Sequence, residues 1–386
     1  MFTDVIKRRN PSLLKASVML HQSGQIPPNT YVVDLDALTH NIQKLSLTAK
    51  EHDFQLYFMS KQLGRNDFIG RWISQHGIDQ AVAVDYDEAR ILAKSGVKIG
   101  HLGHLVQPGK NEWGHILKQI QPQVVTVFSK ERAAQLSAKA IQHGLVQDVL
   151  LRVVQPNDEY YQGQAGGFTL EELSKVIPEL NKLSGIRVVG VTTFPVLKLN
   201  ETQTEYLFTS NLETLLAARD LLQSFGMNVT QLNGPSATCC HTIPMLKQQG
   251  ITHGEPGHAL TGTTPLHAAL DLDELPAMVY VTEVSHFYDD HVYVIGGGFY
   301  PRSHMKGAFV ARHPDQILHH YHRVTEDYRG DHIDYYGELE RKEDTAIGDT
   351  VVYAFRTQIF VTRAHVAYIR HIDQKPELVY LQRRGT

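Results

Sequence analysis

The chain has 386 residues, 42% of them hydrophobic, and a formal net charge of −4 with no block of lysines or arginines. That balance supports a substantial core and argues against nucleic-acid or membrane binding, and the length suits a large barrel plus a smaller domain. The two cysteines, Cys239 and Cys240, are sequence neighbours and a poor structural disulfide. A reducing, cytoplasmic setting is therefore expected, and the N-terminus shows no signal peptide or membrane span.

Residues 1–28 read as a helical extension stopped by Pro27-Pro28. From about residue 30 to 258, strand-like runs alternate with helix-like stretches. Residues 55–61 read as a buried strand that ends on Lys61, and Gln62-Leu63-Gly64-Arg65-Asn66 then turns into a helix. Residues 80–85 form the next run, and a helix from near Asp87 stops at Gly96. Runs at 98–103 and 124–128 follow. Ser129 is expected to cap a helix whose apolar face carries Ala133, Leu136 and Ala140 and which ends at Gly144. After the run at 149–154, Thr169 and Glu172 predict a capping box. Runs at 188–192, 228–233 and 251–254 close the series.

About eight β-α units result, the number that closes a parallel barrel. An open doubly wound sheet is the rival arrangement. Candidate chemical groups follow several strands at their C-terminal ends, which favours a TIM-like (β/α)8 barrel over residues 29–274. Beyond about Leu275 the pattern changes. Residues 278–284, 291–295, 350–355 and 377–381 read as strands with few helical connections, so 275–386 is expected to be a separate, mostly β domain.

Three places carry chemistry. A cation at the end of a buried strand is paired, exposed or covalently used, so Lys61 is either a lysine reaching for solvent or an amine poised for imine chemistry. Glu255, in Gly254-Glu255-Pro256-Gly257-His258, either caps a turn or faces a ligand. Two turns could hold a phosphate: Gly234-Pro235-Ser236-Ala237-Thr238, and the backbone of Gly257 and His258. Together these suggest a pyridoxal phosphate (PLP) site with Lys61 as the Schiff-base residue, in which Glu255 keeps the ring nitrogen protonated and the ring a strong electron sink. Ser236 as a hydrolase nucleophile is disfavoured because its turn lacks the second glycine of the usual elbow. The 22 histidines include no His-Glu-x-x-His, so no metal site is expected. Gly296-Gly297-Gly298 lies in a β-type segment and predicts a tight bend or close backbone approach.

The order of these pieces resembles fold-type III PLP enzymes, the alanine-racemase-like barrels, and most closely the YhfX-like predicted amino-acid racemases. The resemblance covers nearly the whole chain. It is carried by the opening segment Thr30-Tyr31-Val32-Val33-Asp34-Leu35-Asp36-Ala37-Leu38-Thr39-His40-Asn41, by Tyr57-Phe58-Met59-Ser60-Lys61 and by Ala83-Val84-Asp85-Tyr86-Asp87-Glu88-Ala89. Asn233-Gly234-Pro235-Ser236-Ala237 and Glu255-Pro256-Gly257-His258 complete it; the latter is similar to a Glu-Pro-Gly-Arg motif of the fold's decarboxylases, with His258 for arginine.

The resemblance implies a homodimer in which each site is completed by the partner's β domain, and catalytic residues Lys61 and His286, with Tyr288 as the alternate second base. It implies cofactor contacts from Lys61, Thr193, Asn233, Ser236, Ala237, Glu255, Gly257 and His258. Departures count too. Glu255 stands where alanine racemases place arginine, and Thr193 where many members stack a histidine. Phe355-Arg356-Thr357-Gln358-Ile359 lacks the zinc ligands of the D-serine dehydratases. The implied activity is racemisation or epimerisation of an amino acid other than alanine. Alternatives are a non-catalytic PLP-homeostasis protein, whose Ile-Gly-His-Leu-Gln segment Ile99-Gly100-His101-Leu102 resembles, and a lyase or aldolase acting on a β-hydroxy amino acid.

Overall fold

The computed structural model describes residues 1–300, 305–325, 333–356 and 358–385. The chain divides into two compact units, one of residues 42–60 and 65–257, the other of residues 1–41, 61–64 and 258–386.

The first unit is a parallel barrel. Its strand segments follow the order Gln55–Leu56, His253–Gly254, Gln231–Asn233, Ile186–Thr192, Gln147–Arg152, Val124–Val127, Lys98–Leu102, Gln80–Val82 and Phe58–Met59. The first and last segments are one stretch of chain interrupted at Tyr57, whose N–H donates to the carbonyl of Gly254 at 3.0 Å. The path therefore returns on itself, and eight strands close the ring. Strands buried on both faces explain the continuous apolar runs. Close strand packing also fixes glycines: a Cβ at Gly190 would lie 1.7 Å from the carbonyl oxygen of Gln231.

Local signals set the helices around the ring. Ser129 accepts from Arg132 N, and Thr169 with Glu172 forms the reciprocal capping box. Asn66 and Asp85 cap two more helices by accepting from Ile69 N and Glu88 N. Ala133, Leu136 and Ala140 are buried. The run expected to reach Lys61 leaves the ladder at Met59, because the chain turns over residues 61–65.

The second unit is mostly β. Its sheet runs Tyr321–Arg323, Gly307–Ala311, Thr350–Tyr353, Met278–Tyr288, Thr30–Asp34, His365–Arg370 and Glu377–Gln382, and the hairpin strand His291–Ile295 bridges Met278–Tyr288 to Tyr336–Glu340. Thr30–Asp34, which the alternation groups with the barrel, is a central strand here. It pairs antiparallel with Met278–Tyr288 and parallel with His365–Arg370, and all five residues are buried. The helices Phe2–Arg9 and Pro11–Gln22 cover the sheet, with Leu13, Leu14, Val18 and Leu20 packed against Val32, Val279, Val281 and Val352. The glycine run does bring backbones close: a Cβ at Gly298 would lie 2.1 Å from the Tyr280 ring, and Gly297 holds φ +117°. Among the described residues, no helix is long and apolar enough to cross a membrane.

Candidate active site

The C-terminal ends of the barrel strands gather polar groups that are almost fully removed from water. Glu255 follows the strand His253–Gly254, and its side chain is 1% exposed. Its Oε1 lies 2.7 Å from His101 Nδ1 and accepts from Asn233 Nδ2 at 3.0 Å. Its backbone N–H donates to Thr238 Oγ1. Oε2 finds no hydrogen-bond partner among the described residues, and neither does Asn233 Oδ1. Burial alone would raise this carboxyl, but His104, His101 and Asn233 outweigh it and hold the group down to about 2. The result is a buried, ionised carboxylate with one free oxygen, an arrangement that calls for a cationic or N–H partner.

The neighbouring strand ends add to this cluster. Asn233 also approaches Thr192 Oγ1 at 3.4 Å, and Thr192 lies 3.4 Å from His104. Arg152 ends the strand Gln147–Arg152, is buried, and donates through Nη2 to the carbonyl of Phe194, while its Nε has no partner among the described residues. Burial draws Arg152 down to about 10, against the pull of Glu255 and Asp158. Thr193 is buried and receives a long 3.5 Å contact from Asn211.

At the turn of 234–238, Ser236 donates its N–H to Gly234 O and accepts from Val196 N at Oγ. Ala237 is in the left-handed region at φ +47°, and the next helix begins at Thr242.

In the other unit, Lys61 Nζ lies 5.8 Å from the centroid of the Phe360 ring, and its carbonyl accepts from Phe360 N at 3.4 Å. The Tyr368 hydroxyl donates to the carbonyl of Leu63. His258 opens a short 3-10 turn after Gly257, with Nδ1 3.2 Å from Thr263 Oγ1 and Nε2 3.2 Å from Gln358 Nε2. The amide can only donate there, so Nδ1 carries the ring proton. Burial, with Arg356 and Lys61 beside it, pushes His258 well below its ordinary value. Thr357 lies outside the described residues.

His286 and Tyr288 sit on the strand Met278–Tyr288, past a register shift between Val284 and His286. His286 is stacked on Tyr293 at 4.8 Å, meets Tyr336 edge-on at 5.0 Å and lies 3.1 Å from Ser285 Oγ. Tyr288 is 66% exposed at the hairpin end. The structure thus joins Asn233 to Glu255 directly and sets His258 in the field of Lys61, while His286 and Tyr288 have their own surroundings on the hairpin.

Residues 33–265 match the alanine racemase N-terminal domain, and residues 279–378 match the YhfX-like C-terminal domain. The chain belongs to the alanine racemase-like family. It is 40% identical to the uncharacterized protein YhfX of Escherichia coli (strain K12) over 380 residues, 98% of this chain and 97% of the relative. Its fold is similar to alanine racemase of Clostridium difficile 630 in complex with cycloserine, with TM-score 0.66, 16% identity and coverage of 94% and 99% of the two chains. It is also similar to D-threonine aldolase from Filomicrobium marinum, with TM-score 0.65, 13% identity and coverage of 93% and 95%. At those identities the likeness is one of fold alone.

Within this alanine racemase-like barrel, several polar groups around Glu255 escape a sequence reading. His101, Thr126 and Arg152 lie 154, 129 and 103 positions away from it, and only ring closure brings their strands to one end. The signal that was present is positional. Each stands at or near the C-terminal end of a buried run, where a polar side chain has no reason to be unless it is paired or used.

Proposed function

We propose that this chain is a PLP-dependent amino-acid racemase or epimerase. The unshared Oε2 of Glu255 carries the reading. A buried carboxylate held ionised, with one oxygen open, fits the protonated ring nitrogen of PLP, and members of this fold family use that cofactor. When bound, PLP supplies an electron sink for the α-carbon of an amino acid.

The chain's own residues take the remaining tasks. Lys61 is the covalent anchor, and its amine removes or returns the α-proton on one face. Glu255 faces the ring nitrogen, and Asn233 holds its other oxygen in place. Ser236, Ala237, Gly257 and His258 would hold the phosphate of PLP, and Thr193 would help to hold its ring. His286, or Tyr288 beyond it, is the second base, delivered by the partner in a homodimer. Chain connectivity supports pairing Lys61 with Glu255 in one site. The strand that leads to Lys61 lies beside the strand that leads to Glu255, with Leu56 opposite Gly254, and Met59 N–H donates to the carbonyl of Pro256 at 2.9 Å.

Borohydride reduction of the PLP-loaded protein followed by peptide mapping tests the anchor. Label on Lys61 is expected, and label on another lysine refutes it. Exchange of the α-proton in deuterated water, screened over L- and D-amino acids, tests the reaction. Exchange with inversion of configuration supports the racemase, aldehyde or ammonia release assigns a lyase, and bound PLP with no exchange assigns a carrier.

A further inference from the structure

His101 has no role in the reading above, yet both of its ring nitrogens are committed. Nδ1 lies 2.7 Å from Glu255 Oε1, and Nε2 lies 2.6 Å from Thr126 Oγ1. The side chain is fully buried. Its backbone is held in the ladder of the strand Lys98–Leu102, opposite Val82 on one side and Val124 on the other. The Tyr57 and His104 rings pack around it at 6.0 and 5.4 Å. A carboxylate oxygen can only accept, so Nδ1 carries a proton toward Glu255 and Nε2 meets the Thr126 hydroxyl. The ring can neither rotate nor flip without losing one of two short contacts at a side chain that is fully buried.

We propose that His101 is a positioning residue for Glu255: tied to Thr126, it occupies Oε1 and so turns Oε2 alone toward the ring nitrogen of PLP. The proposal rests on the PLP reading given above. Without the histidine, Oε1 would keep only Asn233, and the carboxylate could swing so that neither oxygen is fixed on the ring. A strand-mounted imidazole gives the rigidity that a loop-borne donor would not.

The test uses the full-length protein loaded with PLP labelled with 15N in the ring, because the nitrogen signal reports protonation directly. The variants are His101→Leu and His101→Asn. The asparagine amide can stand where Nδ1 stands and donate to Oε1; leucine cannot. In wild type the signal is expected at the protonated position. In His101→Leu it should move toward the unprotonated position, and the dissociation constant for PLP should rise about tenfold or more, since a hydrogen bond to a charged group is worth roughly 1.5–3 kcal/mol. His101→Asn should restore both. An unchanged signal in His101→Leu, or loss in both variants alike, overturns the positioning role. Should His101→Leu not fold, Thr126→Val carries the test: a smaller shift in the same direction supports the proposal and no shift overturns it. Wild-type protein that binds no PLP, or binds it with an unprotonated ring, sinks the PLP reading itself, an outcome separate from a wild-type signal that the variants fail to move.

Discussion

Two carboxylates of the barrel, Glu88 and Glu255, are both buried and behave oppositely. Glu88 is fully partnered. Oε1 accepts from Ser60 Oγ at 2.5 Å, Oε2 accepts from Val84 N at 2.8 Å, and Arg65 Nε lies 3.5 Å from Oε2. Burial raises its carboxyl despite the pull of Arg65. Glu255 has one oxygen crowded by donors and the other without a hydrogen-bond partner among the described residues, and it is held down to about 2. Burial of a carboxylate is thus no sign of function by itself. A satisfied carboxylate closes a turn, here the one that carries Ser60 just before Lys61. A carboxylate that stays ionised with an oxygen to spare is waiting for a ligand.

Replacing each tests the contrast most strongly. Glu255→Arg should slow α-proton exchange by about two orders of magnitude, the scale seen when one electrostatic partner of a reaction centre is removed. Its fold should persist, as read by circular dichroism. Unchanged exchange would remove the role assigned to the free oxygen. Glu88→Ala should instead act on stability. It leaves Ser60 Oγ and Val84 N without the carboxylate they donate to and takes one of its carboxylate neighbours from Arg65, and about 3 kcal/mol of unfolding free energy should be lost in urea titrations. If Glu255→Ala costs the same stability as Glu88→Ala, the distinction between the two carboxylates fails.

The two sites were also unequally legible in the sequence. Features set within a few residues could be read directly: the Ser129 cap, the Thr169–Glu172 box and the close approach at Gly297–Gly298. Glu255 could be singled out because a carboxylate before Pro-Gly at a strand end is conspicuous. Its partner His101 could not, because a contact across 154 positions depends on barrel closure and shear, which no local pattern encodes. Thr30–Asp34 shows the same limit. Its apolar run is that of a strand buried on both faces, which a barrel and a central sheet position share, and only its partners 245 to 335 positions away decide between them.

Acid titration separates the carboxylates at smaller amplitude. The folded value of Glu255 is depressed from 4.5 to about 2, so its stabilising share is present above pH 4.5 and is lost as the pH falls toward 2. At most about 3 kcal/mol is involved. Urea unfolding of cofactor-free wild type and Glu255→Gln, compared between pH 5 and pH 2, should show the wild-type advantage shrinking over that window. A difference that stays level would mean the carboxyl is not held ionised.

Glu88→Gln should give the smallest effect and the opposite sign. The amide can take over both contacts, its oxygen accepting from Val84 N and its nitrogen donating to Ser60 Oγ, while Arg65 keeps its 2.5 Å contact with Asp85. Below the ordinary glutamate value, stability should match wild type within about 1 kcal/mol. The folded value of Glu88 is raised, so its share of stability is present at low pH and is lost as the pH rises through that value. Glutamine has nothing to lose there. The balance between variant and wild type should therefore shift toward glutamine with rising pH, where for position 255 it shifts toward glutamate. Equal slopes at the two positions, measured by urea unfolding from pH 4 to 8 at position 88 and from pH 2 to 5 at position 255, would show that partner count does not govern which buried carboxylate carries charge.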